Sequence, residues 1–288
     1  MQWEGISEFV QVAETHSFTL ASKKLGISTA QVSRQVSKLE QKLNIKLFYR
    51  TTRKVSLTQE GQVFYQHCRG VIDGLDAAVQ AITNLQSKPY GRVKITAPVT
   101  FGEKKILPLV NDFALKYPDI KVVAHLNNRQ IDLVDEGYDL AIRLGKLSDS
   151  SMMAKKLADR RNYVCASPSY LEKYGTPHTL LELAEHNCLL GTIDYWRFNE
   201  LGKEKNSRVN GSIRLNSGVG LLDAALKGLG IVQLPDYYVK DYLKTGELVS
   251  MLDEYRQPGE GVWAVYPNNR HLSPKIRLLV DYLAEKML

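Results

Sequence analysis

Apolar residues recur at helical spacing through the first part of the chain and in short blocks through the rest, and this change of period divides the sequence. Ile6, Phe9, Val10 and Ala13 stand at i, i+3, i+4 and i+7, a single stripe on one helix face. A second short helix is predicted from about Thr19 to Leu25, with Ala21 small enough to let another helix cross closely and Gly26 supplying the turn after it. Ser28 opens a third helix with a capping box, its hydroxyl able to accept the amide of Gln31 while the Gln31 side chain reaches back. At about 100° per residue, Val32, Val36, Leu39 and Leu43 share one sector of that helix, and Ala30, Arg34, Ser37, Lys38 and Gln41 lie on the other side. After Leu47 and Phe48, the run YRTTRKVSLT alternates in short segments around a basic bend, as a β wing does.

From Gln59 to Ser87 there is no proline, and Cys68, Val71, Leu75, Ala78, Ile82 and Leu85 are spaced 3, 4, 3, 4 and 3. That is a coiled-coil seam, expected either to pair with a second copy of itself or to pack on the protein's own body. Gly70 and Gly74 weaken the middle of the helix, by about 1 kcal/mol each relative to Ala. Lys88, Pro89, Tyr90 and Gly91 end it and mark a boundary.

Beyond Gly91, apolar strands alternate with helical stretches: RVKITAP, a helical region to Tyr117, IKVVAHL, a short helix, then YDLAIRL. Such alternation indicates α/β layering on a mainly parallel sheet. Tyr163 to Ala166 and Gly261 to Tyr266 are expected to be strands crossing between two lobes, Gly230 to Leu234 a further strand, and Pro274 to Met287 a closing helix.

Charge sharpens the reading of the first part. The net charge is +7, but Ser17 to Thr58 holds nine basic residues against Glu40 alone, so that stretch carries +8 and the remainder −1. A solvated face explains charge of this kind as well as a phosphate-binding surface does, until its place on a helix-turn-helix is considered. Two short helices around a Gly-containing turn, the second capped and polar on one face, form a unit whose second helix enters the DNA major groove. Ser28, Thr29, Ala30, Gln31, Ser33 and Arg34 near its start, with Ser37 and Lys38 behind them, are the candidate DNA-facing residues, since Arg can donate two bonds to guanine and small side chains can meet a thymine methyl. Arg50, Arg53 and Lys54 of the wing are candidates for phosphate or the minor groove.

Other chemistries find little support. The start carries Glu4, Glu8 and Glu14 without an apolar block, so no export signal is expected, and no apolar run reaches the roughly 18 residues of a membrane helix. A cytoplasmic protein is expected. Cys68, Cys165 and Cys188 form no CxxC pair, so buried thiols are expected, with a redox role for Cys165 and Cys188 left open. His16, His67, His125, His178, His186 and His271 form no HxxxH or HExxH spacing, GxSxG and Walker sequences are absent, and Gly218 and Gly220 make only a broken GxGxxG, so neither catalysis, nor a metal, nor a cofactor is expected. A binding protein or an enzyme on the same α/β domain, with the N-terminus serving assembly only, is the competing reading.

The stretch SFTLASKKLGISTAQVSRQVSKLEQKLNIKLFYRTTRKVSLTQEG resembles the DNA-binding module of LysR-type regulators, with Ser22 in place of a frequent Ala and Asn44 in place of the usual Gly. YPDIKV, DLVDEGYDLAIRLG, ASPSYLEKYGTP and GLLDAALKGLGIVQLPDYYV resemble the effector-binding domain of the same family, which is similar to periplasmic binding proteins. The resemblance implies a winged helix-turn-helix over 1–60, a linker and dimerisation helix over 61–90, and a two-lobed α/β effector domain over 91–288. Its lobe I would take 91–162 and 266–288, and lobe II 163–265. It further implies a homodimer or homotetramer on double-stranded promoter DNA, with RNA polymerase as a further candidate partner, switched by a small molecule in the interlobe cleft. Thr100 with Phe101, and Ser217 with Gly218, would line that cleft at two strand-to-helix junctions, with Asn128, Arg143 and Tyr195 as additional candidates. Helix capping is the plainer role for Thr100 and Ser217, and ion pairing for Arg143. Two helix N-termini and an arginine suit an anionic or polar effector, and Phe101, Tyr195 and Trp196 leave an aromatic one open.

Overall fold

The computed structural model describes residues 4–50, 55–83, 89–129, 131–147, 152–267 and 273–287. Three helices, α1 (Ile6–Thr15), α2 (Phe18–Leu25) and α3 (Thr29–Leu43), are followed by strands β1 (Phe48–Arg50) and β2 (Val55–Leu57) and the long helix α4 (Gln59–Thr83). The predicted stripes meet in one core. Phe9, Val10, Ala13, Ala21, Val32, Val36 and Leu39 are buried together with Leu47, Phe48 and Cys68, and Leu43 packs at its edge. Phe9 is the hub, its ring 5.3 Å from both Phe48 and Phe64.

Each joint of this unit has a local cause. Gly26 caps α2 with φ of 69°, and Asn44 caps α3 with φ of 51°, so the Asn that replaces the usual Gly does adopt the left-handed conformation. Ser28 accepts the Gln31 amide at 3.2 Å, the hydroxyl half of the expected capping box. Ser22, the other departure from the family pattern, is buried and bonds both the Thr19 carbonyl (2.9 Å) and the Thr29 hydroxyl (3.0 Å), tying α2 to the start of α3.

On α4 the expected seam divides. Cys68 belongs to the core beneath the helix, whereas Val71 and Leu75 are 44% and 62% exposed. The side chains of Ala78 and Ile82, and the residues Leu85 and Lys88, lie outside those described.

Among the described residues, the C-terminal part holds a five-stranded sheet, a three-stranded sheet and a separate two-stranded hairpin. The first contains β3 (Gly91–Ala97), β4 (Ile120–Leu126), β5 (Leu140–Leu144), β6 (Met152–Arg160) and, from near the end of the chain, β12 (Glu260–Pro267), in the order β4-β3-β5-β12-β6. Between β3 and β4 runs a helix in three pieces, α5 (Val99–Phe101), a π-helical turn over Gly102–Ile106, and α6 (Leu107–Lys116). The second sheet contains β7 (Asn162–Ala166), β10 (Val232–Pro235) and β11 (Val249–Met251). Around it lie α7 (Pro168–Tyr174), the hairpin β8 (Tyr195–Glu200) with β9 (Lys203–Arg208), α8 (Gly218–Leu226) and α9 (Asp236–Thr245). The closing helix α10 (Pro274–Met287) returns to the first sheet and buries Leu279, Val280 and Leu283 there.

Four expectations are corrected. The parallel character holds for β3 with β4 and β5, but β10 and β11 both pair antiparallel with β7. Neither expected crossing strand crosses: β7 lies wholly in the second sheet, and β12 pairs along its length with β6. The chain passes between lobes at Arg161 and again over 256–259, so lobe I gains β12 and its boundary moves from 266 to about 260. Between β4 and β5 there is a turn instead of a short helix, because the Asp132 carboxylate takes the amides of Val134 (2.8 Å) and Asp135 (3.0 Å).

Cys165 of β7 pairs with Val232 of β10 and packs against α8 and α9, while Cys188 faces the hairpin side of the sheet. Burial pushes both thiols up to about 12, and Cys68 to about 11. Their seats on opposite faces give the open redox pairing no geometric support.

Candidate functional site

The core-facing side of α3 is closed, and its other side is bare. Ser28, Thr29, Ala30, Gln31, Arg34 and Lys38 are exposed, and Ser33 and Ser37 are half-buried. Among the described residues no carboxylate meets Arg34 or Lys38. The expected DNA-facing residues of the helix therefore form one surface.

The wing is tied to this helix by the lone acid of the basic stretch. Glu40 is buried, and its Oε1 accepts the amides of Leu47 (2.9 Å) and Phe48 (3.2 Å). Its Oε2 takes the Arg50 guanidinium at 3.1 Å, with Lys46 at 3.5 Å. Arg50 also stacks 4.7 Å over the Phe18 ring. Expected as a phosphate holder, Arg50 is thus engaged inside the protein before DNA arrives, with a third of its side chain accessible. Arg53 and Lys54 lie outside the described residues.

In the C-terminal part the candidates fall on the expected strand ends but take unequal tasks. Thr100 is half-buried in α5 and makes no cap; Asn128 makes it instead, its Oδ1 accepting the Val99 amide at 2.9 Å. Ser217 does cap α8, accepting the Gly220 amide at 3.3 Å. Arg143 holds backbone, donating to the carbonyls of Ile131 (2.9 Å) and Arg129 (3.4 Å), and burial keeps its guanidinium below its ordinary value. Among the described residues it meets no carboxylate, so the ion-pair role expected of it is not seen there. Phe101 and Trp196 are core residues, buried because each follows the inward phase of its element.

Two tyrosines that sequence reasoning passed over join these pieces. Phe101 meets Tyr237 edge-on at 5.2 Å, and Tyr237 stacks on Tyr238 at 4.7 Å. A Cβ at Gly218 would lie 2.5 Å from Tyr238 Cζ, so glycine lets α8 start against that ring without displacing it. Lys104 reaches across to donate to the Tyr237 carbonyl at 3.1 Å. Burial pushes the Tyr237 hydroxyl up to about 12, keeping it protonated.

Tyr195 enters through a charged chain. Glu260 of lobe I binds Arg160 at 2.7 Å and, across the interface, Arg197 of β8 at 3.2 Å. Burial alone would lower the Arg197 guanidinium, but Tyr195 and Glu260 outweigh it and hold it above its ordinary value. A second interlobe pair, Lys146 with Glu204 at 2.6 Å, lies in the open. The sequence carried a signal for the tyrosines in the LPDYYV phrase, but none for Arg160 facing Glu260, which depends on β6 pairing with β12 from a hundred residues away.

Comparison with known proteins agrees along the whole chain. Residues 3–62 match the bacterial regulatory helix-turn-helix protein, lysR family, and residues 86–288 match the LysR substrate binding domain. An uncharacterized HTH-type transcriptional regulator of Haemophilus influenzae is 40% identical over 276 residues, covering 94% of this chain and 96% of that one. The HTH-type transcriptional activator TtdR of Escherichia coli K12 is 33% identical over 286 residues, covering 98% and 92%. Among solved structures, the full-length Vibrio cholerae virulence activator AphB aligns with a TM-score of 0.63 at 30% identity, covering 100% of both chains. CrgA of Neisseria meningitidis aligns at 0.62 and 32% identity, covering 100% and 99%.

Proposed function

The chain belongs to the LysR family of bacterial DNA-binding transcriptional regulators, which makes it a regulator rather than an enzyme, and on that premise we propose how its residues divide the work. The exposed face of α3 reads promoter DNA, with Thr29, Ala30, Ser33 and Arg34 at base edges and Lys38, Arg53 and Lys54 on the backbone. Arg50 fixes the wing to α3 and reaches phosphate only with its outer edge. Two copies pair through Val71 and Leu75 of α4, which the chain itself leaves uncovered. A small polar or anionic effector sits between Thr100 and the Ser217–Gly218 corner, against Tyr238, where Lys104 supplies positive charge and the tyrosine pair accepts an aromatic ring. RNA polymerase is the candidate partner through which the bound regulator acts.

The observation that carries this reading is the division of α3 into a closed apolar side and a bare side of small, polar and basic residues. A gel-shift series with DNA flanking the protein's own gene tests it. Arg34→Ala should cost about 1 to 3 kcal/mol on the cognate site and relax its specificity. Arg53→Ala should weaken all sequences evenly and flatten the salt slope by about one unit. Equal losses on cognate and random DNA for both variants would mean that α3 is not the reading helix.

A further inference from the structure

Beside the hinge, on the side of the β8–β9 hairpin, lies an open groove of about 400 Å³ bordered by Arg161, Asn199, Asp253, Arg256, Gln257 and the 258–259 segment. A small inner recess continues it along Arg256 and Gln257 and adds Arg197. Neither Thr100, Asn128, Ser217 nor Gly218 touches either space. We propose that this groove is a second ligand site, taking a small oxyanion, a dicarboxylate or a phosphate, and that its occupant draws Arg197 away from Glu260.

The walls are charged. Arg161 and Arg256 border the groove with Asp253, and Arg197 lines the recess behind it; Asp253 is the one carboxylate among the lining residues. Two of these arginines are anchored through their backbone and the third through its side chain. The Arg161 backbone is held by Asp236, whose Oδ2 accepts its amide at 3.2 Å and whose own amide donates to its carbonyl at 2.8 Å. Gln233 clamps Arg197 in the same way, accepting its amide (3.1 Å) and donating to its carbonyl (2.8 Å). Arg256 stacks 4.0 Å over the Tyr163 ring and is turned by Asp253. The Arg161 guanidinium itself is exposed and, among the described residues, meets no carboxylate or carbonyl. The Arg161 guanidinium is therefore available to an oxyanion, and the forked donors of arginine match its geometry. The space lies within the roughly 300 to 1,000 Å³ of small-ligand pockets.

Arg197 is the member that can change partner. Glu260 keeps Arg160 at 2.7 Å within its own lobe, whereas Arg197 holds it at 3.2 Å with 41% of its side chain accessible. Arg161 and residues 256–259 are the two passages between lobes, so an anion gripping Arg161 and Arg197 acts where the lobes turn. Whatever lobe arrangement it favours alters affinity at the other cleft reciprocally.

Calorimetric titration of the full-length protein with succinate and with inorganic phosphate, at fixed ionic strength, tests the site. Saturable binding of one of the two is expected, and which one binds identifies the ligand as dicarboxylate or phosphate. Arg161→Ala, a surface change, should weaken it about ten- to a hundred-fold, as loss of a hydrogen bond to a charged group does. Glu260→Gln, which releases Arg197, should tighten it about tenfold; if that variant melts early, Arg197→Gln should instead weaken it. No saturable binding of either anion, or undiminished binding by Arg161→Ala, overturns the proposal. Binding lost in Thr100→Val and kept in Arg161→Ala would place the anion in the effector cleft, overturning this site while supporting that one.

Discussion

Glu40 carries more of the DNA-binding module than its place in a basic segment suggests, since it satisfies two backbone amides and one guanidinium at the junction of α3 and the wing. Its carboxylate is 2% exposed and Arg50 is 33% exposed, so removal orphans buried donors while Arg50 can return partly to water. Glu40→Ala should therefore destabilise the module by about 2 to 3 kcal/mol, with Glu40→Gln losing less because one acceptor remains. Thermal melting followed by circular dichroism checks this; a melting curve unchanged in Glu40→Ala would mean that the wing is anchored elsewhere. In the sequence Glu40 was visible only as the exception in a charge count, because its partners lie seven to ten residues ahead and off the helix. Thr100 and Ser217 show the opposite case, two residues read alike that the structure separates. Ser217→Ala should cost about 1 kcal/mol through its cap, and Thr100→Val should leave the melting temperature nearly as it was. If both bond the effector, both should raise the effector concentration needed to alter DNA binding, by about ten- to a hundred-fold for a charged ligand. An unchanged threshold in either variant removes that residue from the cleft.

The helices were legible as elements because their signals are local: the Ser28 cap, the left-handed Gly26 and Asn44 ends, and stripes that repeat every three or four residues. The hairpin β8–β9 was missed. Trp196 and Phe198 do alternate inward, but the returning strand reads KEKNSR and offers no apolar phase, so only the pairing of Tyr195 with Arg208 through Glu200 with Lys203 defines it. β12 was seen as a strand and given the wrong lobe, since membership of a sheet is decided by partners distant in the chain. On α4, spacing alone could not say which seam residues turn inward; Cys68 does, and Val71 and Leu75 do not. The exposed pair is where a second copy should pack. Val71→Asp with Leu75→Asp should leave the fold of the module intact and convert the protein to monomers in sedimentation velocity at micromolar concentration. A dimer that survives both changes would show that α4 packs elsewhere.

At the scale of the whole molecule, the lobes meet through contacts of graded strength. A buried Phe101 meets a half-buried Tyr237, Glu260 with Arg197 is half-buried, and Lys146 with Glu204 is in the open, where an ion pair is weak and salt-sensitive. An effector can shift such an arrangement only by its differential affinity for two lobe geometries, and it reaches DNA only if the two reading helices belong to one assembly. The central claim is therefore the two-fold placement of α3 on DNA. Footprinting of the full-length protein on the DNA flanking its own gene tests it most directly. Two protected half-sites in inverted orientation are expected, with centres about one helical turn or a multiple apart, and an affinity that falls as salt rises. A single asymmetric half-site, protected equally at low and high salt, would contradict it.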